Sequence, residues 1–131
     1  MNRYETALRN LKEGTVIPAI PLALHSNRTF HEEGQRRLMK YYLNAFVGGV
    51  AVAVHTTQFE IRNPEINLLK PVLTVAAEEI TKYEQETGKT IIRVAGVCGK
   101  TEQAVSEAKL AKSLGYDAVL LSPGGLLEES E

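Results

Sequence analysis

Two rhythms of apolar and polar residues run along this chain. Four short apolar runs occupy positions 16–24 (VIPAIPLAL), 50–55 (VAVAVH), 90–96 (TIIRVAG) and 117–122 (DAVLLS). Between them, apolar residues recur three or four positions apart. Unbroken apolar runs predict strands buried on both faces, and the longer period predicts amphipathic helices. The first helix covers 2–14, with Asn2 as its cap, Tyr4, Leu8 and Leu11 on one stripe, and Gly14 at its end. The second covers 31–46, with Leu38, Met39, Tyr42, Leu43 and Phe46 on one face and Gly48-Gly49 terminating it. The third has Pro71 in its first turn, carries Val72, Leu73, Ala76, Ile80 and Tyr83 at helical spacing, and closes at Gly88. The fourth starts at a Thr101 cap, turns Ala104, Ala108 and Ala111 inward, and ends at Gly115. Pro18 and Pro21 exclude helix from the first apolar run and suit a strand end or a sheet edge.

The order is helix, then strand–helix three times, then strand. Strands separated by amphipathic helices predict an α/β fold with a parallel sheet covered on its faces. Four such units are about half of a (β/α)₈ barrel, which takes roughly 250 residues. The 131 residues are therefore expected to form one domain, 1–131, equivalent to the N-terminal half of a (β/α)₈ barrel and truncated relative to a longer chain. A half barrel that pairs with a second copy and a complete open four-stranded sheet are the alternatives. Leu127 to Glu131 reads as the first turn of a further helix.

Composition narrows the function classes. Fifteen basic and sixteen acidic residues leave a net charge of -1, so no electrostatic case exists for nucleic acid or an anionic membrane. A single cysteine, Cys98, excludes an internal disulfide and suits a reducing compartment. No apolar run approaches the ~18 residues of a membrane span, and the N-terminus lacks a signal-peptide core. The chain reads as a soluble, cytoplasmic protein.

Ligands of parallel α/β folds meet the carboxyl ends of the strands. There the chain offers His25 and Ser26, then His55, Thr56, Thr57 and Gln58, then Val97, Cys98 and Gly99, then Ser122, Pro123, Gly124 and Gly125. Thr56-Thr57 presents two hydroxyls and backbone N–H groups suited to a carboxylate, or else the pair only caps a turn. His55 is a candidate general base, or else a hydrogen-bonded core histidine. No metal is expected, because His25, His31 and His55 lack ligand spacing. "GVCGKT" at 96–101 lacks the first glycine of a phosphate loop, which falls on Val94. Cys98 reads as a small buried thiol.

Two segments carry a family likeness. "GGVAVAVHTTQFE" resembles the Gly-Val-x-Gly-Leu-Val-Val-x-Gly-Thr-Thr-Gly-Glu segment of the dihydrodipicolinate synthase/N-acetylneuraminate lyase family. "IIRVAGVCGKTEQAVSEAKLAKSLGYDAVLLSPGG" resembles its Pro-Val-Ile-Ala-Gly-Val-Gly segment, Thr-capped helix and Pro-Pro-Tyr-Tyr strand end. The resemblance implies a (β/α)₈ class I lyase or aldolase that binds pyruvate or a related 2-oxo acid as a Schiff base, without a cofactor, in a homo-oligomer. It implies that Thr56 and Thr57 hold the substrate carboxylate. Gln58, Gly124 and Gly125 then line the substrate pocket, and His55 takes a catalytic part. The departures are specific. His55 replaces a glycine, Gln58-Phe59 replaces Gly-Glu, and "IPLAL" replaces Thr-Pro-Phe. Gly124 and Gly125 stand where the family's relay tyrosine follows proline. The family's Schiff-base lysine lies on the sixth strand, beyond residue 131, so the 131-residue chain is expected to be inactive by itself. A non-catalytic member that binds a small carboxylic acid is the alternative.

Overall fold

The computed structural model describes residues 2–126, so the expected helical turn at 127–131 lies outside the described residues. Helices α1 (Arg3–Glu13), α2 (Glu32–Leu43), α3 (Leu69–Thr87) and α4 (Thr101–Ser113) accompany strands β1 (Gly49–Val52), β2 (Ile92–Val97) and β3 (Ala118–Leu121). The strands pair in parallel in the order β1-β2-β3, with Val50 opposite Arg93 and Ala95 opposite Val119. This is the predicted class: parallel β/α units with helices on the sheet.

The first apolar run is where sheet and expectation differ. It forms no strand of its own, only two isolated bridges, a parallel one from Ala19 to Ala51 and an antiparallel one from Leu24 to Phe30. It still lies along β1. The Gly48 N–H donates to the Val16 carbonyl at 3.0 Å, the Ala51 N–H to the Pro18 carbonyl at 2.9 Å, and the Ile20 N–H to the Ala51 carbonyl at 2.9 Å. Pro18 turns toward β1 and has no N–H to give, so the ladder loses a donor there and the pairing stays too sparse for a strand, while the Pro21 carbonyl faces away and accepts from the Gln35 amide at 3.0 Å.

The core lies between α2, α3 and one sheet face. Met39 and Leu43 pack with Val72, Leu73, Ala76 and Ile80 over Val50, Val52 and Ala95. These are the apolar stripes predicted for α2 and α3. Four details differ. α2 stops at Leu43 with Asn44 as its C-cap, so Phe46 leaves the helix with φ 60° and is 88% exposed, not buried. The Lys89 ammonium lies 5.4 Å from its ring centroid. α1 keeps its Asn2 cap, as a reciprocal box with Glu5. It buries Ala7, however, and leaves Tyr4 and Leu11 exposed. α4 is capped at Lys100, one residue before Thr101. β3 leaves Val119, Leu120 and Leu121 exposed at 46%, 59% and 46%, because no described element covers its far edge.

α1 is held by a polar cluster at the amino ends of β2 and β3. Arg3 donates through Nε to Glu84 at 2.9 Å, through Nη1 to Asp117 at 2.7 Å and through Nη2 to the Ile91 carbonyl at 2.6 Å. Arg93 donates to Glu84 at 2.9 Å and to Thr81 Oγ1 at 3.0 Å. An arginine inside an apolar strand needs such partners, since an unpaired buried charge is costly.

Burial alone would raise the Glu84 carboxyl, but hydrogen bonds from Arg3, the Ile91 N–H and Arg93 outweigh it and hold its pKa below the ordinary value. A depressed acid stabilises the fold fully above its unfolded value, about 4.3. That contribution is lost as pH falls through the lower folded value. Urea melts from pH 7 to pH 3 are expected to show the wild type's advantage over Glu84→Gln constant above about pH 5 and shrinking below roughly pH 4. A gap that stays constant down to pH 3 would remove Glu84 from the acid response.

Candidate functional site

β1 ends at Val52, and the chain turns at once. Ala53 takes φ 64°, Val54 is extended, His55–Thr57 forms one 3₁₀ turn, Gln58 takes φ 82°, and Phe59–Arg62 forms a second. A left-handed residue on each side of the first turn separates its side chains into different surroundings.

His55 and Thr56 are exposed and face a cavity of about 360 Å³. Phe59, Gly96, Ser122 and Pro123 complete its main lining, so the carboxyl ends of β1, β2 and β3 meet there. The His55 ring packs edge-on against Phe59, with centroids 5.5 Å apart. The cavity thus offers one imidazole and two hydroxyls, on Thr56 and Ser122, among apolar walls.

Thr57 is buried. Its hydroxyl donates to the Ile20 carbonyl and accepts from the Ala53 N–H at 3.1 Å, joining the first apolar run to β1. Gln58 turns to a separate cavity of about 520 Å³, among Leu22, Leu24, Arg28, Ile61 and Ile66. Gly124 is exposed, and it shares with Gly125 the 3₁₀ turn Pro123–Leu126 that follows the cavity wall. The structure therefore brings His55 and Thr56 together with Ser122, and sets Thr57 and Gln58 apart from them. His25 lies elsewhere, stacked on His31 with ring centroids 4.1 Å apart.

Two groups behind the cavity carry no motif in the sequence. Arg62 and Glu107 form an ion pair at 2.8 Å, with side chains only 6% and 7% exposed. Glu107 also accepts from the Gln103 amide at 2.8 Å and the Cys98 N–H at 3.1 Å. The signal that could have found it is helical spacing, because Glu107 lies three residues after Ala104 and four before Ala111 on the inward stripe of α4. Cys98 is half-buried. Burial pushes its thiol above the ordinary pKa, opposed by Arg62 and reinforced by Glu107, so it is a poor nucleophile. Among the described residues, no group of three or more His, Cys, Asp or Glu side chains is arranged to hold a metal ion. No described helix is long and apolar enough to cross a membrane.

No protein-family model and no curated protein matches the chain. Solved structures do. Dihydrodipicolinate synthase from Oceanobacillus iheyensis matches at 20% identity and a TM-score of 0.68, over 92% of this chain and 36% of that one. N-acetylneuraminate lyase from Fusobacterium nucleatum matches at 20% identity and 0.66, over 82% and 34%. A prophage protein of the dihydrodipicolinic acid synthase family from E. coli K12, in complex with pyruvate, matches at 15% identity and 0.64, over 80% and 33%. The chain spans about a third of the length of these structures, and over that span it has the fold of the dihydrodipicolinate synthases and N-acetylneuraminate lyase.

Proposed function

We propose that this chain is the N-terminal part of a dihydrodipicolinate synthase-like class I lyase or aldolase acting on pyruvate or a related 2-oxo acid. The observation that carries the reading is the meeting of His55, Thr56 and Ser122 around one cavity at the carboxyl ends of three parallel strands. In that reading Thr56 holds the substrate carboxylate, while Thr57 supports it from below by tying the turn to the Ile20 carbonyl. Gly124 and Gly125, in the turn after Pro123, shape the rim, and His55 moves the proton. The lysine that forms the Schiff base comes from further strands, and the exposed apolar residues of β3 are the edge on which those strands pair. The whole protein is then a homo-oligomeric barrel of the cytoplasm that needs no cofactor.

The altered relay has a structural correlate. Among the described residues, no tyrosine lines the cavity. Tyr116 is buried on the helix side, where its hydroxyl donates to the Leu73 carbonyl at 2.8 Å, and burial pushes its pKa up. That observation also favours a second reading, in which the protein binds a small carboxylic acid without turning it over.

The test is intact mass after incubation of the protein from its full reading frame with pyruvate and borohydride. A reduced pyruvate adduct is expected on the full-length protein and none on residues 1–131 alone. No adduct with pyruvate or any other short 2-oxo acid would overturn the lyase reading. Pyruvate-dependent shifts of the His55 and Thr56 NMR signals would then select the acid-binding one.

A further inference from the structure

Arg62 reaches further into the site than an ion pair requires. Its Nη2 donates to two carbonyls at once, Ala53 and Gly96, each at 2.8 Å. These carbonyls lie where β1 and β2 meet the cavity. Ala53 holds φ 64°, a backbone region that residues with a Cβ rarely adopt. Its carbonyl thereby leans on Gly96, where any Cβ would run into the oxygen. Two carbonyl dipoles brought together repel unless a donor lies between them, and a cationic donor does this best. Glu107 holds that cation in place from α4. The guanidinium also lies 5.5 Å from the centroid of Phe59, the ring against which His55 packs.

We propose that Arg62 is a positioning residue for the His55–Thr56 face of the cavity. By drawing the Ala53 and Gly96 carbonyls together, it sets the direction in which β1 passes into the 3₁₀ turn. By backing Phe59, it sets the orientation of the imidazole. Glu107 couples that geometry to α4. The significance of this role rests on the reading of the cavity as a ligand site, but the geometry is testable without any ligand.

The experiment records amide signals of Val54, His55, Thr56 and Gly96, and the His55 ring signals, in ligand-free protein. Arg62→Met keeps the apolar stem and removes the donors. It is expected to shift all of these signals while leaving those of Arg3, Thr81 and Asp117 at the opposite strand ends in place. Arg62→Lys keeps the charge but lacks the fork, and its shifts are expected to fall between wild type and Arg62→Met. Wild-type His55 and Thr56 signals in either folded variant would overturn the proposal and leave Arg62 a structural ion pair. Should Arg62→Met fail to fold, Arg62→Lys carries the same test. Pyruvate trapping reads a lysine elsewhere in the full-length protein, so either result can fail alone.

Discussion

Asp117→Ala is expected to destabilise the fold strongly. The Asp117 side chain is 3% exposed and accepts from Arg3 Nη1 at 2.7 Å, Arg3 Nη2 at 3.1 Å and the Arg93 N–H at 2.8 Å. Removing one partner of a buried pair costs about 3–5 kcal/mol, because the other charge stays desolvated. Arg3 is 32% exposed and keeps Glu84 and the Ile91 carbonyl. Water and Glu84 therefore soften the loss, and about 3 kcal/mol is the expected value. Asp117→Asn keeps an acceptor for the Arg93 N–H and is expected to lose less. Urea unfolding of both variants measures this. A loss under about 1 kcal/mol in Asp117→Ala would mean that the cluster behaves as an ordinary surface ion pair.

Thr57→Val is the second large effect. The substitution preserves shape and removes the hydroxyl that joins Ile20 to Ala53. A buried polar group left without a partner costs about 1–3 kcal/mol, and two are stranded here, so the expected loss is about 2–6 kcal/mol. Thr57→Ser keeps both bonds, and its cost is limited to one buried methyl, about 1 kcal/mol. Equal unfolding midpoints for the two variants would show that the hydroxyl does not hold the first apolar run against β1. The difference between them also separates two roles for the threonine pair, since Thr57 acts through backbone and Thr56 faces the cavity.

Much of this architecture is legible in the residue pattern. The stripes of α2 and α3 are written in Met39, Leu43, Val72, Leu73, Ala76 and Ile80, all of them buried. Gly88 closes α3 in the left-handed conformation with its N–H on the Glu84 carbonyl at 2.8 Å. These features are local, because helical spacing and a glycine's conformational freedom need no distant partner. The strand count was less legible. Proline's missing N–H is visible in the sequence, but whether the remaining donors still make a strand depends on where β1 lies. The exposure of Phe46 was hidden for a similar reason: α2 ends one turn early, and periodicity alone does not mark the last turn of a helix.

The candidate site divides along the same line. The residue pattern alone places His55, Thr56 and Thr57 after one apolar strand and Ser122 and Pro123 after another, since strand ends are set by local pattern. Folding is what makes His55, Thr56 and Ser122 share one cavity, turns Thr57 inward to the Ile20 carbonyl, and gives Gln58 to a different hollow. Adjacent residues were parted by the left-handed backbone at Ala53 and Gln58, which has no side-chain signature. The partners of Arg62, 9, 34 and 45 positions away along the chain, were likewise beyond local reading. Apolar periodicity repeats within each element and can be read from neighbours in sequence. A buried charge finds its partners by the way separate elements pack, and that information exists only in the folded chain.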